Sequence, residues 1–221
     1  KEKAVKYFNK ESFKITMGQR YLGGHIGEET EKEGWIAQKV DDWSRSVRQI
    51  AKAATRHPQT AYTGLQASLQ HEWNFVQRVG KTEGKWFERL ETIIRTDFLP
   101  KLFGQKTPER SLLGLAVKKG GMGINIPTTT TLSNYAASLE GTSHLTQSII
   151  NKQTMSQMVH LQQLRDSRLD ARKIKEVKSD SILKIITEGM SMMSARATKR
   201  AANTGAWLTT KPQTINGTEL S

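Results

Sequence analysis

One apolar stripe constrains this chain more than any other feature. Ile36, Val40, Trp43, Val47, Ile50 and Ala54 recur at spacings of four, three, four, three and four. That rhythm puts all six side chains on one face of a helix. A stripe of this length has to pack against other elements, so the helix is expected to be the spine of a bundle. Glu28, Glu29, Glu31 and Glu33 crowd its first turns, where the helix macrodipole favours anions. Arg45, Arg48, Lys52 and Arg56 gather on the opposite face, which becomes basic toward the C-terminal half. The helix is expected to stop at His57-Pro58, because a residue before proline is pushed out of the α region.

Upstream, Phe13–Met17 and Arg20–Ile26 read as short strands joined at Gly18-Gln19, so a β-hairpin feeds directly into the helix. Before it, Lys3–Asn9 carries Val5 and Phe8 at helical spacing and reads as a helix end. Downstream, a second helix from about Gln59 to Val79 has Leu65, Leu69, Trp73 and Val76 as its apolar line, with Tyr62 alongside. A third starts near Glu83 and turns Phe87, Leu90, Ile94, Phe98 and Leu102 inward, until Pro100 and Gly104 end it. Three helices with short connections can enclose one core, in which Trp35, Trp43, Leu65, Trp73, Phe87, Leu90 and Ile94 are expected to meet.

From Pro108 the pattern changes. Leu112, Leu113, Leu115 and Val117 read as a strand or extended segment entering the turn Lys118-Lys119-Gly120-Gly121-Met122-Gly123-Ile124. Thr128–Thr131 is a capping run before a helix with Tyr135, Ala136 and Leu139, which Gly141 is expected to interrupt before Leu145, Ile149 and Ile150 continue it. Lys152–Asn203 reads as two helices with a break near Ser179-Asp180-Ser181. Met155, Met158, Leu161, Leu164 and Leu169 give the first an uneven stripe, and Ile182, Ile185, Ile186, Met190 and Met193 give the second a better one. Thr204–Ser221 is turn-rich, with Trp207-Leu208 as a docking anchor. The expected fold is mainly α: a helical bundle preceded by a short β-hairpin, with a small extended Gly-rich segment in the middle. Its regions are 1–27, 28–106, 107–150 and 151–221.

Charge narrows the partners. With 34 basic against 21 acidic residues and a net charge of +13, the chain attracts polyanions. The excess is spread over several helices and is not a detachable tail. No run approaches the roughly 20 apolar residues of a membrane span. The absence of cysteine removes disulfides and thiolate zinc sites and fits a reducing compartment.

The five histidines are scattered, with no HExxH, so no metal site is expected. Asp41-Asp42 resembles the paired carboxylates of a two-metal site, but neighbours on a helix diverge by about 100°. Gly120–Gly123 lacks the GK[ST] ending of a phosphate loop. No nucleophile is assembled with a base, so no catalytic residue is assigned.

Four motifs in order resemble one family. Arg20-Tyr21-Leu22-Gly23-Gly24-His25-Ile26-Gly27 is similar to the hairpin that reverse transcriptases of non-LTR retrotransposons place after the polymerase palm as the primer grip. Trp35–Val79 resembles the helical thumb of such element-encoded proteins. Leu115–Ile124 resembles the Leu-Pro-x-x-x-Gly-Gly-Leu-Gly-Ile segment that follows the thumb, with Ala116 in place of the proline and Met122 in place of the leucine. Thr204–Thr209 and Gly217–Leu220 look like a late segment of the same proteins. The similarity spans nearly the whole chain and is weakest between Asn151 and Arg196.

The resemblance implies an interior piece of a longer RNA-directed DNA polymerase, downstream of the palm. It makes Arg20, Tyr21, Leu22, Gly23 and Gly24 primer-grip residues, and Arg45, Arg48, Lys52 and Arg56 contacts to nucleic-acid backbone. The implied partners are an RNA·DNA or DNA duplex and the palm domain of the same polypeptide, with no membrane. The catalytic aspartates and their Mg2+ would lie upstream of Lys1, leaving no cofactor or metal in this piece, and an intracellular location, nuclear or cytoplasmic, would follow. A reading from another class is a helical protein-interaction module that docks through the uneven Met155–Leu169 stripe.

Overall fold

In the computed structural model, the described residues are 16–104 and 107–205, apart from the Asn203 side chain. The helix end at Lys3–Asn9, the strand start at Phe13, the Trp207-Leu208 anchor and the late motif from residue 206 lie outside them. A two-stranded antiparallel hairpin leads in: β1 (Gly18–Tyr21) pairs with β2 (Gly24–Gly27), Gly18 opposite Gly27 and Tyr21 opposite Gly24. The turn is Leu22-Gly23, not Gly18-Gln19. Both of its residues have positive φ, 46° and 83°, as a type I′ turn requires, and that turn matches the twist of paired strands. Gly18 is a paired strand residue instead, where a Cβ would stand 2.5 Å from His25 Cε1.

Helix α1 (Glu29–Ala54) follows at once and buries Ile36, Val40, Trp43, Val47 and Ala54. Ile50 is only half-buried, because Ala51 occupies the centre of the packed face. Next, α2 (Pro58–Thr63) passes through a π-helical turn at Gly64–Leu69 into α3 (Gln70–Val79). The third rod starts in a 3₁₀ turn at Gly84–Phe87, runs through α4 (Glu88–Ile93) and a second π turn at Ile94–Phe98, and finishes as α5 (Leu99–Phe103). Pro100 does not end this rod. It sits in the first turn of α5, where a missing N–H is tolerated, and Gly104 at φ 76° makes the stop.

The expected strand at Leu112–Val117 is replaced by a short helix, α6 (Arg110–Gly114), and a 3₁₀ turn at Val117–Lys119. A short apolar run does not distinguish strand from buried helix, and among the described residues the only strands, β1 and β2, pair with each other. The chain then extends, and the Met122 and Ile124 N–H groups both donate to the Leu113 carbonyl, at 3.3 and 3.0 Å.

Helix α7 (Thr131–Ile150) is continuous through Gly141. That glycine is a crossing point, since a Cβ there would lie 3.3 Å from Leu164 Cδ2 of α8 (Gln157–Glu188). No break occurs at Ser179-Asp180-Ser181 either. The Ser179 and Ser181 hydroxyls donate back to the Lys175 and Val177 carbonyls and so do not cap a new helix. The break falls at Gly189–Ser191, where the Ser191 Oγ accepts from the Ser194 N–H and starts α9 (Met192–Thr204).

The fold is therefore a mainly α bundle preceded by a β-hairpin. Trp43, Leu65, Trp73, Phe87, Leu90 and Ile94 share one buried cluster, with Trp35 packed at its edge. Trp43 stacks on Phe87 at 6.4 Å and meets Trp73 edge-on at 6.1 Å, while its Nε1–H donates to Glu72 at 2.8 Å. A smaller cluster of Leu112, Leu115 and Ile186, with Ile182, Leu183 and Met190 against it, attaches the C-terminal helices. No helix among the described residues is long and apolar enough to cross a membrane.

Candidate nucleic-acid interface

The hairpin is clamped between two helices. Ideal Cβ atoms would lie 2.9 Å from Phe75 Cε1 at Gly23 and 3.1 Å from Val79 Cγ2 at Gly24, so α3 takes up the close approach that these glycines allow. On the other side His25 stacks on Trp35 of α1, with centroids 5.8 Å apart. The clamp leaves Arg20, Tyr21 (61% exposed) and Leu22 (82% exposed) projecting into solvent. Beside them a cavity of about 510 Å³ is lined by Arg20, His25, Glu31, Gly34 and Gln38.

The basic stripe runs on from that cavity. At about 100° per residue, Gly34, Gln38, Arg45 and Lys52 lie within about 40° of one another around α1, spread over about 27 Å of its length. Arg56, just past the helix end, continues the line. Arg45, Arg48, Lys52 and Arg56 are all exposed, but they are not equivalent. Arg45 pairs with Asp42 one turn away. Arg48 lies about 40° off the line and donates through Nε to Asp97 at 2.9 Å, tying α1 to the π turn. That hydrogen bond, together with the Thr96 hydroxyl and the charges of Arg48 and Lys101, holds the Asp97 carboxyl below its usual range. Among the described residues, Lys52 and Arg56 have no carboxylate within ion-pair distance. Asp41 and Asp42 diverge as their spacing requires, Asp41 to Arg89 at 2.5 Å and Asp42 to Arg45. Among the described residues no three His, Asp or Glu side chains gather as metal ligands.

Apolar periodicity gives no hint of a buried polar ladder beneath the Gly-rich segment. The Tyr62 hydroxyl donates to the Met122 carbonyl at 2.6 Å. Gln70 donates to the Gly123 carbonyl at 3.2 Å and accepts from the Asn125 N–H at 3.1 Å. Gln77, with no exposed surface, donates to the Pro127 carbonyl and accepts from Thr130 and Asn134, each at 2.8 Å. From the far side Arg110 holds the Ile124 and Asn125 carbonyls at 2.8 Å while forking onto Glu91 at 2.8 and 3.0 Å. An irregular segment without ladder partners thus has its carbonyls satisfied by side chains, while its Met122, Gly123 and Ile124 N–H groups donate to the Leu113 and Leu115 carbonyls. Tyr62, Gln70 and Gln77 share one face of their rod, and polar residues at apolar-face positions are the signal in the sequence that could have found them.

No family model, curated protein or solved structure matches this chain.

Proposed function

We propose that this chain is the duplex-holding portion of a retrotransposon-type reverse transcriptase, downstream of a palm that would carry the Mg2+-binding aspartates. The observation that carries the reading is the shared side of α1. The exposed hairpin tip, the cavity behind it and the Arg45–Lys52–Arg56 line form one surface; Glu31 lines its cavity, and the helix carboxylates beside the line, Asp41 and Asp42, are each held by an arginine, Arg89 and Arg45. Such a surface suits phosphates held without regard to sequence, as a template–primer duplex requires. Arg20, Tyr21 and Leu22 would meet the primer end. Gly23 and Gly24 would act by seating the turn on α3. Lys52 and Arg56 would carry most of the phosphate contact, Arg45 would contribute once released from Asp42, and Arg48 would contribute least.

The test is binding of an RNA·DNA hybrid as a function of salt. Lys52→Gln with Arg56→Gln is expected to flatten the slope of log K against log salt by about 2, at roughly 0.9 for each phosphate that is no longer neutralised. Unchanged affinity and slope would leave the stripe as ordinary solvated surface. The interaction-module reading would then be the better one, favoured by the exposed Leu132, Leu139, Ile149, Ile150, Met158 and Val159 of α7 and α8.

A further inference from the structure

A second groove, lined by apolar side chains as well as polar and basic ones, lies away from the α1 stripe. It is a cleft of about 300 Å³ between α3, α6, the start of α7 and the middle of α8. Arg78 enters it from α3, and Lys175 and Lys178 from α8, while no Asp or Glu lines it. None of the three cations has a carboxylate within ion-pair distance among the described residues. Three positive charges on a concave wall with no counter-charge are an unmatched field.

The neutral groups in the groove point the same way. Asn74, only 5% exposed, lines it, and its Oδ1 accepts from Asn134 Nδ2 at 3.4 Å. Asn134 is itself fixed by its bond to Gln77, so the network orients the Asn74 amide and leaves its Nδ2 donors without a partner among the described residues. The α7 N-terminus opens here as well, and its Thr130 cap makes no side-chain bond to the first-turn N–H groups. Instead the single proton of the Thr130 hydroxyl goes to Gln77 at 2.8 Å, shared at most with the Ile126 carbonyl at 3.3 Å. Serine and threonine hydroxyls along the rim likewise spend their protons on local carbonyls, Ser133 on Thr130 and Ser179 on Lys175. What remains unspent is donor capacity: one buried amide, the first N–H groups of a 20-residue helix and three cations. Together these suit the oxygens of a phosphate.

We propose that this groove binds the sugar-phosphate backbone of a single nucleic-acid strand. Its walls on both sides are helices, so a single strand fits where the width of a duplex would not. Cations on two facing helices, α3 and α8, would grip consecutive phosphates, and Ile174 and Ile182 give the strand's sugars an apolar surface. The groove adjoins the hairpin seat across α3, since Arg78 lies between Asn74 and the residues Phe75 and Val79 that hold the turn.

The experiment measures binding of a labelled oligothymidine strand and of an RNA·DNA hybrid by anisotropy across a salt series. The variants are Arg78→Gln with Lys175→Gln and Lys178→Gln, and a control of Arg165→Gln, Arg172→Gln and Lys184→Gln, which are exposed on α8 outside the groove. The groove variant is expected to bind the strand on the order of tenfold or more weakly at 0.1 M salt, with a slope flatter by about 2, at roughly 0.7 for each phosphate of a single strand. Hybrid binding should hold within about twofold. Circular dichroism of each variant confirms the fold, and Asn74→Leu, which removes the amide donors without touching charge, should weaken strand binding in the same direction.

Strand affinity and slope equal to wild type in the groove variant would overturn the proposal, as would an equal loss in the control. Inorganic phosphate that displaces the strand fully at matched ionic strength would show a lone-phosphate site and also overturn it. Hybrid binding lost in the Lys52 and Arg56 variant but kept in the groove variant separates the two surfaces, so either can fail alone.

Discussion

The Tyr62 hydroxyl donates to the Met122 carbonyl at 2.6 Å, joining the second rod of the bundle to a segment sixty residues further on. Burial pushes the Tyr62 phenol above its ordinary value. A phenol raised in the folded state contributes stability that is intact below the unfolded value of about 10 and is lost as pH climbs through the folded value. Tyr62→Phe should therefore cost about 1–3 kcal/mol at neutral pH by orphaning a carbonyl. It should also narrow the fall in urea midpoint between about pH 9 and 11. An unchanged fall would place the alkaline sensitivity in other groups.

Arg110 and Glu91 form the other clamp on the same segment, both about nine-tenths buried. Removing one partner of a buried pair strands the other, and Arg110→Ala also frees two carbonyls, so each single alanine should cost about 3–5 kcal/mol. The double variant is expected to be markedly less destabilised than the sum, because the penalty is mainly that of an unpaired charge. Thermal melts of the three proteins decide it, and simple additivity would mean that the pair is uncoupled.

Gly141 offers a sharper test of packing. Alanine there must gain about 0.3 Å from Leu164, against a gain in helix propensity of about 1 kcal/mol, so Gly141→Ala should be close to neutral. Gly141→Val should cost about 1–3 kcal/mol, because its branches press on Leu164 and Ser167 where α7 and α8 cross. A neutral valine would show that the two helices are free to separate.

Legibility in the sequence follows the strength of the apolar period. The α1 stripe, the Leu65–Val76 line and the Trp43 core are plain because dense, regular burial leaves few alternatives. The hairpin turn is easily misplaced because one glycine can serve a strand as well as a turn, and only the pairing of Gly18 with Gly27 decides between them. Gly141 and Ser179-Asp180-Ser181 look like breakers in one dimension, yet a close crossing needs the first and exposed helix tolerates the second. Arg45, Arg48, Lys52 and Arg56 are legible as a face, but the claim of Asp97 on Arg48 is not, because it comes from 49 residues away. Gln70 and Gln77 escape notice because polar residues count toward the surface unless their partners are visible.

Leu22 holds φ 46° at the tip of the hairpin while 82% exposed. A branched apolar side chain in the left-handed region costs about 1–2 kcal/mol, and packing does not repay it at an exposed position. Strain kept at such a place is a sign of use. Leu22→Asn supplies the Asn-Gly pair that a type I′ turn prefers, so it should raise the stability of the hairpin by about 1 kcal/mol. If the tip meets a primer end, the same change should weaken RNA·DNA hybrid binding severalfold while leaving the salt slope alone, because no phosphate-neutralising cation has been removed. Hydrogen exchange at the β1 and β2 amides reads the first effect and anisotropy the second. A more protected hairpin with unchanged hybrid affinity would leave Leu22 with a structural role only, and would remove the tip from the proposed grip.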